Sequence, residues 1–168
     1  MRISLGRWVL VAVAAVTAFA WVAPEVRAAG VTFGGQSTNS AKEPRPIIVR
    51  VSPRRTRVTR VIWDWKATCV AADGSPATPS EHRASDDTHA QRFPIRASGR
   101  WTGTYTAGPF PDETTGITQT YAYTMKGRLR ASGTRMAGTI RVTLTEHDAA
   151  GTLLRTCRTG PITFNLED

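Results

Sequence analysis

The residues in this chain best equipped for chemistry are its arginines. Arg50, Arg54, Arg55, Arg57 and Arg60 crowd around the turn Ser52-Pro53-Arg54-Arg55, and Arg128, Arg130 and Arg141 flank a second turn at Ser132-Gly133-Thr134. A guanidinium presents a planar fork of donors that matches sulfate, phosphate or carboxylate. Alternation along each hairpin places Arg50, Arg60, Arg128, Arg130 and Arg141 on outward positions, with Arg54 and Arg55 exposed in their turn. These seven residues are the candidate anion-binding set, on the condition that the two hairpins lie side by side. Plain solvation of a basic surface is the competing reading. Binding of single-stranded nucleic acid needs exposed aromatics on which bases stack. The tryptophans here alternate inward, so no specific nucleic-acid reading is expected.

Other chemistry is weaker. His82-Arg83-Ala84-Ser85-Asp86-Asp87-Thr88-His89 gathers two imidazoles and two carboxylates. Such groups can bind a divalent metal, but no ligand spacing such as H-E-x-x-H is present. No metal site or cofactor is expected. There is no G-x-S-x-G nucleophile elbow. Asp64 is the one acid inside a strong strand pattern, and its alternation puts it on the wet face. The catalytic residues of an enzyme, were the chain one, are not legible.

The N-terminus supplies an address. Arg2 and Arg7 precede an apolar run of 16 residues, Trp8 to Ala23, followed by Pro24 and the small-residue site Val26-Arg27-Ala28. That layout matches a secretory signal peptide over 1–28. The run is short of the roughly 20 residues of a membrane-crossing helix, although an uncleaved anchor would leave the same domain outside. Removal of 1–28 leaves 19 Lys and Arg against 12 Asp and Glu, a net charge of +7 in place of +9. An exported chain of that charge favours anionic envelope polymers, lipid headgroups or acidic glycans. The chain has two cysteines, Cys69 and Cys157, both in the exported part. In an oxidising compartment they form a disulfide. Closing so long a loop removes about 4–5 kcal/mol of unfolded-state entropy in the chain model.

The elements that carry these groups read as strands. Val61, Trp63, Trp65, Ala67 and Cys69 share one face of the best strand, with Asp64, Lys66 and Thr68 on the other. Period-two alternation recurs at Ile47-Val49-Val51, Phe93-Ile95-Ala97, Trp101-Gly103-Tyr105, Tyr121-Tyr123-Met125, Ile140-Val142-Leu144, Leu153–Cys157 and Ile162-Phe164-Leu166. The stretch 70–91 reads as a long surface loop, and Gly108-Pro109-Phe110-Pro111-Asp112 as another. The expected fold is mainly β, about seven or eight antiparallel strands with one disulfide. A sandwich is favoured, with a cross-core bridge between its layers, and a small barrel is the alternative. The expected organisation is a signal peptide at 1–28, a partly ordered arm at 29–46 and a single β domain at 47–168.

A set of short motifs runs through the mature chain: Gly34-Gly35 followed by Ser and Thr, a Cys closing an aromatic strand, Gly138-Thr139-Ile140-Arg141, Asp148-Ala149-Ala150-Gly151 and Cys157-Arg158-Thr159-Gly160. In these the chain resembles a group of small secreted bacterial β-domain proteins with no assigned activity. The resemblance implies export, β structure and the Cys pair, and supplies no catalytic residues. The sequence therefore points to a secreted or envelope-located, non-catalytic domain that binds an extracellular or envelope partner, anionic in the reading above. The alternative is a small secreted hydrolase with a site borne on the segments 70–91 and 107–117.

Overall fold

The structure is a computed structural model and describes residues 30–38, 43–88 and 91–168. The signal-peptide segment and His89 lie outside the described residues. Ten strands follow one another: β1 Val31–Thr38, β2 Pro44–Val51, β3 Arg57–Ala71, β4 Pro76–Asp87, β5 Phe93–Pro94, β6 Arg100–Pro111, β7 Thr118–Leu129, β8 Arg135–His147, β9 Leu153–Arg158 and β10 Ile162–Glu167. Six of them close a ring in the order β10-β1-β2-β3-β9-β8, with β8 pairing back onto β10. Every pairing in the ring is antiparallel. The fold is thus mainly β and antiparallel, and it closes as a six-stranded barrel with four strands outside it.

The long strands β3 and β8 make this closure work. One edge of β3 pairs β2 along its first half and β9 at its end, and the other edge carries β5 and β4. One edge of β8 pairs β10 and then β9, while its other edge carries β7 along its whole length, and β6 pairs β7. The outer strands therefore form two flaps, β4–β5 on β3 and β6–β7 on β8. The flaps face each other across a gap.

The alternation that defines β3 is observed. Val61, Trp63, Trp65, Ala67 and Cys69 are all buried, and Asp64, Lys66 and Thr68 point outward. Each aromatic takes about 150–250 Å² out of water, a gross gain of about 4–6 kcal/mol at 25 cal/mol per Å². On the opposite wall Trp101 lies over Gly127, where an added Cβ would fall 2.6 Å from the indole. Only glycine leaves room for that ring. Phe93 stacks on Trp101 at 6.1 Å and closes the seam between the flaps.

Four sequence expectations change. First, within the stretch read as an arm, residues 31–38 form β1, a barrel strand, with Phe33 and Ser37 completely buried and the Ser37 hydroxyl donating to the Arg45 carbonyl at 3.3 Å, and 44–46 already belong to β2. Second, the expected loop 70–91 holds β4, twelve residues long and paired with β3 from Ile62 to Val70. It is an outer strand with one face to solvent and one to a polar gap, so it needs no apolar alternation. Third, β6 continues through the Gly108–Pro111 stretch, with Phe110 and Pro111 paired to Gln119 and Thr118, and the turn is confined to 112–117. Fourth, the disulfide does not cross the core. Cys69 and Cys157 are directly opposed on the neighbouring strands β3 and β9, with a Cα–Cα distance of 3.9 Å. It staples the ring at the point where β3 changes partners from β2 to β9.

Replacing both cysteines (Cys69→Ser with Cys157→Ser) is expected to lower unfolding free energy by about 2–5 kcal/mol. Urea titration followed by circular dichroism measures this, and the strand spectrum should persist because the β3–β9 ladder remains.

Candidate functional site

One end of the barrel gathers turns and positive charge. The β2–β3 turn, the 95–99 turn and the β7–β8 turn meet there, around a hollow of about 600 Å³ lined by Arg55, Arg96, Arg128 and Arg130. A neighbouring hollow of about 700 Å³ is lined by Arg54, Arg57 and Arg92 beside Ser52 and Pro53. The condition set by the sequence, that the two arginine hairpins lie side by side, is met at their tips. Arg55 holds a left-handed backbone with φ 54°, a conformation that costs a non-glycine residue about 1–2 kcal/mol. That geometry carries its guanidinium over to Gly133, where a Cβ would overlap it. The acids nearby are Asp168, 3.9 Å from Arg55, and Glu167, 2.8 Å from Arg135.

The seven candidate arginines separate in space. Arg55, Arg128 and Arg130 share the larger arginine cluster, and Arg54 lines the hollow next to it. Arg60 is paired with Asp87 at 2.5 Å, so its charge is already answered. Arg50 is exposed on β2 opposite Arg60, and Arg141 is exposed midway along β8 opposite Thr124. Arg96 joins the cluster without any local signal in the sequence. It sits at the start of a short turn, Arg96–Gly99, whose backbone bond Leu129 N to Gly99 O docks it against the end of β7.

The gap between the flaps forms a second site. Register places His82, Ala84 and Asp86 of β4 opposite Ala67, Trp65 and Trp63, hence on the inward face of β3. Across from them stand Tyr121 and Tyr123 of β7 with Tyr105 and Phe110 of β6, around a cleft of about 400 Å³. Tyr105 and Tyr123 stack at 4.5 Å, and Tyr121 continues the row 6.2 Å from Tyr123. Asp86 accepts hydrogen bonds from Trp65 Nε1 at 2.5 Å and from the Tyr123 hydroxyl. Burial raises the Asp86 pKa, and those two donors only partly oppose it. Burial likewise raises Tyr105, Tyr121 and Tyr123, helped by the Asp86 charge. Burial lowers His82 below the ordinary imidazole value and keeps it neutral at pH 7.

The outer face of β4 behaves differently. Lys66 pairs with Glu81 at 2.6 Å, Arg60 with Asp87, and the Ser85 hydroxyl donates to Asp64. These are cross-strand pairs on the solvent side, the usual polar stitching of an antiparallel ladder. Within the described part of the sequence cluster, residues 82–88, Asp86 and Asp87 project to opposite faces of β4. Among the described residues no group of three His, Cys, Asp or Glu could hold a metal ion. Behind the cleft, buried Glu146 is clamped by Arg155 at 2.6 Å and by Gln119 at 3.0 Å, and Gln119 in turn accepts from the Tyr121 hydroxyl at 2.7 Å. Burial pushes the Glu146 carboxyl up, but Arg155 and Gln119 outweigh that and hold it below its ordinary value.

Of the segments named for a hydrolase site, 70–91 and 107–117, residues 84–87 of β4 and Ala107 and Phe110 of β6 line this cleft together. The hydroxyl of Ser85 is committed to Asp64 and the carboxylate of Glu146 to Arg155. The recurring motifs serve the fold. Asp148 accepts from the Ala150 and Thr152 amides and shapes the β8–β9 turn, and Thr159 accepts from the Val142 amide where β9 passes to β10. No family model, no curated protein and no solved structure matches this chain.

Two stability outcomes follow. A carboxyl whose folded pKa is raised binds its proton more tightly in the native state, so its ionisation costs stability as pH rises. Asp86→Asn is therefore expected to melt at a higher temperature than the parent at pH 7, the gap closing at pH 3; calorimetry across pH reads this directly. Glu146 has the opposite sign, with stability present at neutral pH and lost as pH falls through its lowered pKa. Glu146→Ala leaves the partly exposed Arg155 guanidinium without its carboxylate and is expected to cost about 1–3 kcal/mol at pH 7 in urea titration.

Proposed function

We propose that this chain is an exported, non-catalytic β domain whose arginine-rich end holds anionic groups of an envelope or extracellular polymer. The observation that carries this reading is the convergence of Arg55, Arg96, Arg128 and Arg130 on one hollow formed by three separate turns. Four forked donors around a hollow suit clustered sulfates, phosphates or carboxylates. The positive φ at Arg55 supports it, because backbone strain of this kind clusters at ligand clamps and active sites. The surplus charge of the mature chain draws such polymers in from a distance. Export is supported by the leader-like N-terminus and by a disulfide that an oxidising compartment preserves. Among the described residues no helix is long and apolar enough to cross a membrane. The resemblance to small secreted bacterial β-domain proteins points the same way.

Binding to dextran sulfate, titrated at several salt concentrations, tests the proposal. The triple variant Arg96→Gln, Arg128→Gln, Arg130→Gln should weaken binding and flatten the slope of log affinity against log salt by about 1 per arginine engaged. A control triple, Arg50→Gln, Arg141→Gln, Arg158→Gln, removes the same charge elsewhere and should act far less. Equal losses from the two triples, or no binding by the parent at low salt, overturn the reading.

A further inference from the structure

The cleft between the flaps holds a carboxyl group, Asp86, that no basic side chain among the described residues answers. Arg60 answers Asp87 and Arg155 answers Glu146. Among the described residues no lysine or arginine pairs with Asp86. Its hydrogen-bond partners are the neutral donors Trp65 Nε1–H and Tyr123 O–H. The histidine beside it, His82, packs against Trp65 at 5.4 Å. The side facing β4 carries Tyr105, Tyr121 and Tyr123 in a stacked row and Phe110, half exposed at the rim 6.0 Å from Tyr121, with Gln119 and Ala107 between them and Ser85 and Asp87 at the β4 edge.

A carboxylate at the base of a small aromatic cleft selects for one kind of guest. A compact organic cation gains Coulomb attraction from Asp86, and π-electron density attracts cationic methyl or methylene groups. A free phenol oxygen, such as that of Tyr105, accepts a hydrogen bond if the cation carries N–H. Anions are repelled by Asp86, and neutral alkyl guests leave its charge unanswered. The cleft volume of about 400 Å³ suits a molecule of a few to a dozen heavy atoms. From this juxtaposition of Asp86 with Tyr105, Tyr121, Tyr123 and Phe110 we infer that the gap between β4 and β6–β7 is a binding site for a small organic ammonium ion. The site is distinct from the arginine end, since its chemistry and its charge are opposite.

Isothermal titration calorimetry with choline chloride and with its neutral carbon isostere, 3,3-dimethylbutan-1-ol, tests the inference on the mature chain. Choline is expected to bind at least about tenfold more tightly than the isostere. Asp86→Asn should remove that preference. Ala107→Phe, which fills the cleft and leaves the carboxylate in place, should abolish binding of both compounds. Equal affinity for choline and the isostere overturns the assignment. So does unchanged choline binding in Asp86→Asn, tighter binding of glucose than of choline, or no choline binding at 20-fold molar excess in the millimolar range.

Discussion

The architecture depends on the inward burial of Trp63 and Trp65 from the middle of β3. Side chains alternate across a strand, so a slip of one residue would turn both indoles to water and bring Asp64 and Lys66 into the core. No other pairing tolerates that exchange. With the register of β3 fixed, five others follow: β2, β9, β4 and β5 pair onto its two edges, and β8 closes the ring through β9. The disulfide adds a covalent tie at the same strand, where Cys69 faces Cys157.

Both candidate sites are consequences of that frame. The hairpin tips that bear arginine meet at one end, where the 95–99 turn leading into β6 joins the β2–β3 and β7–β8 turns. The acidic cleft exists because β4 and β6 are edge strands on opposite flaps, joined by the Phe93–Trp101 stack and not by a ladder. Edge strands with an unpaired side invite a partner or a ligand. The charges segregate accordingly. Arginines accumulate at the turns, and buried Glu146 receives a guanidinium, whereas half-buried Asp86 has only neutral partners among the phenols.

How much of this could be read from the residues depends on whether a segment's environment was apolar on one side only. β3, β7, β8 and β10 were legible because one face meets the core and the other meets water. β4 was not, because His82, Ala84 and Asp86 face a polar cleft and Ser85 and Asp87 face solvent, so both faces carry small or charged residues. β1 was missed for a related reason: Gly34, Gly35, Ser37 and Thr38 read as linker chemistry, yet Phe33 and Ser37 fill the barrel wall. The cysteine pairing was correct in partners and mistaken in place, since sequence separation says nothing about whether two strands are adjacent. Of the arginines lining that end, Arg54 and Arg55 were picked out by their turn and Arg128 and Arg130 by outward alternation along their hairpin. Arg96 required knowledge of which turn docks against β7, and the pairing of Arg60 with Asp87 required β4 to be a strand.

The claim that carries the rest is that β3, locked by its tryptophans, is the stable spine of a closed ring. Native-state amide hydrogen exchange measures this most directly. The account places the amides of Val61 to Cys69 among the slowest, exchanging together with those of Val49 on β2 and Ile140 to Leu144 on β8 only through global unfolding. Exchange of the β3 amides at the rate of the 72–75 turn, while β8 stays protected, would contradict it.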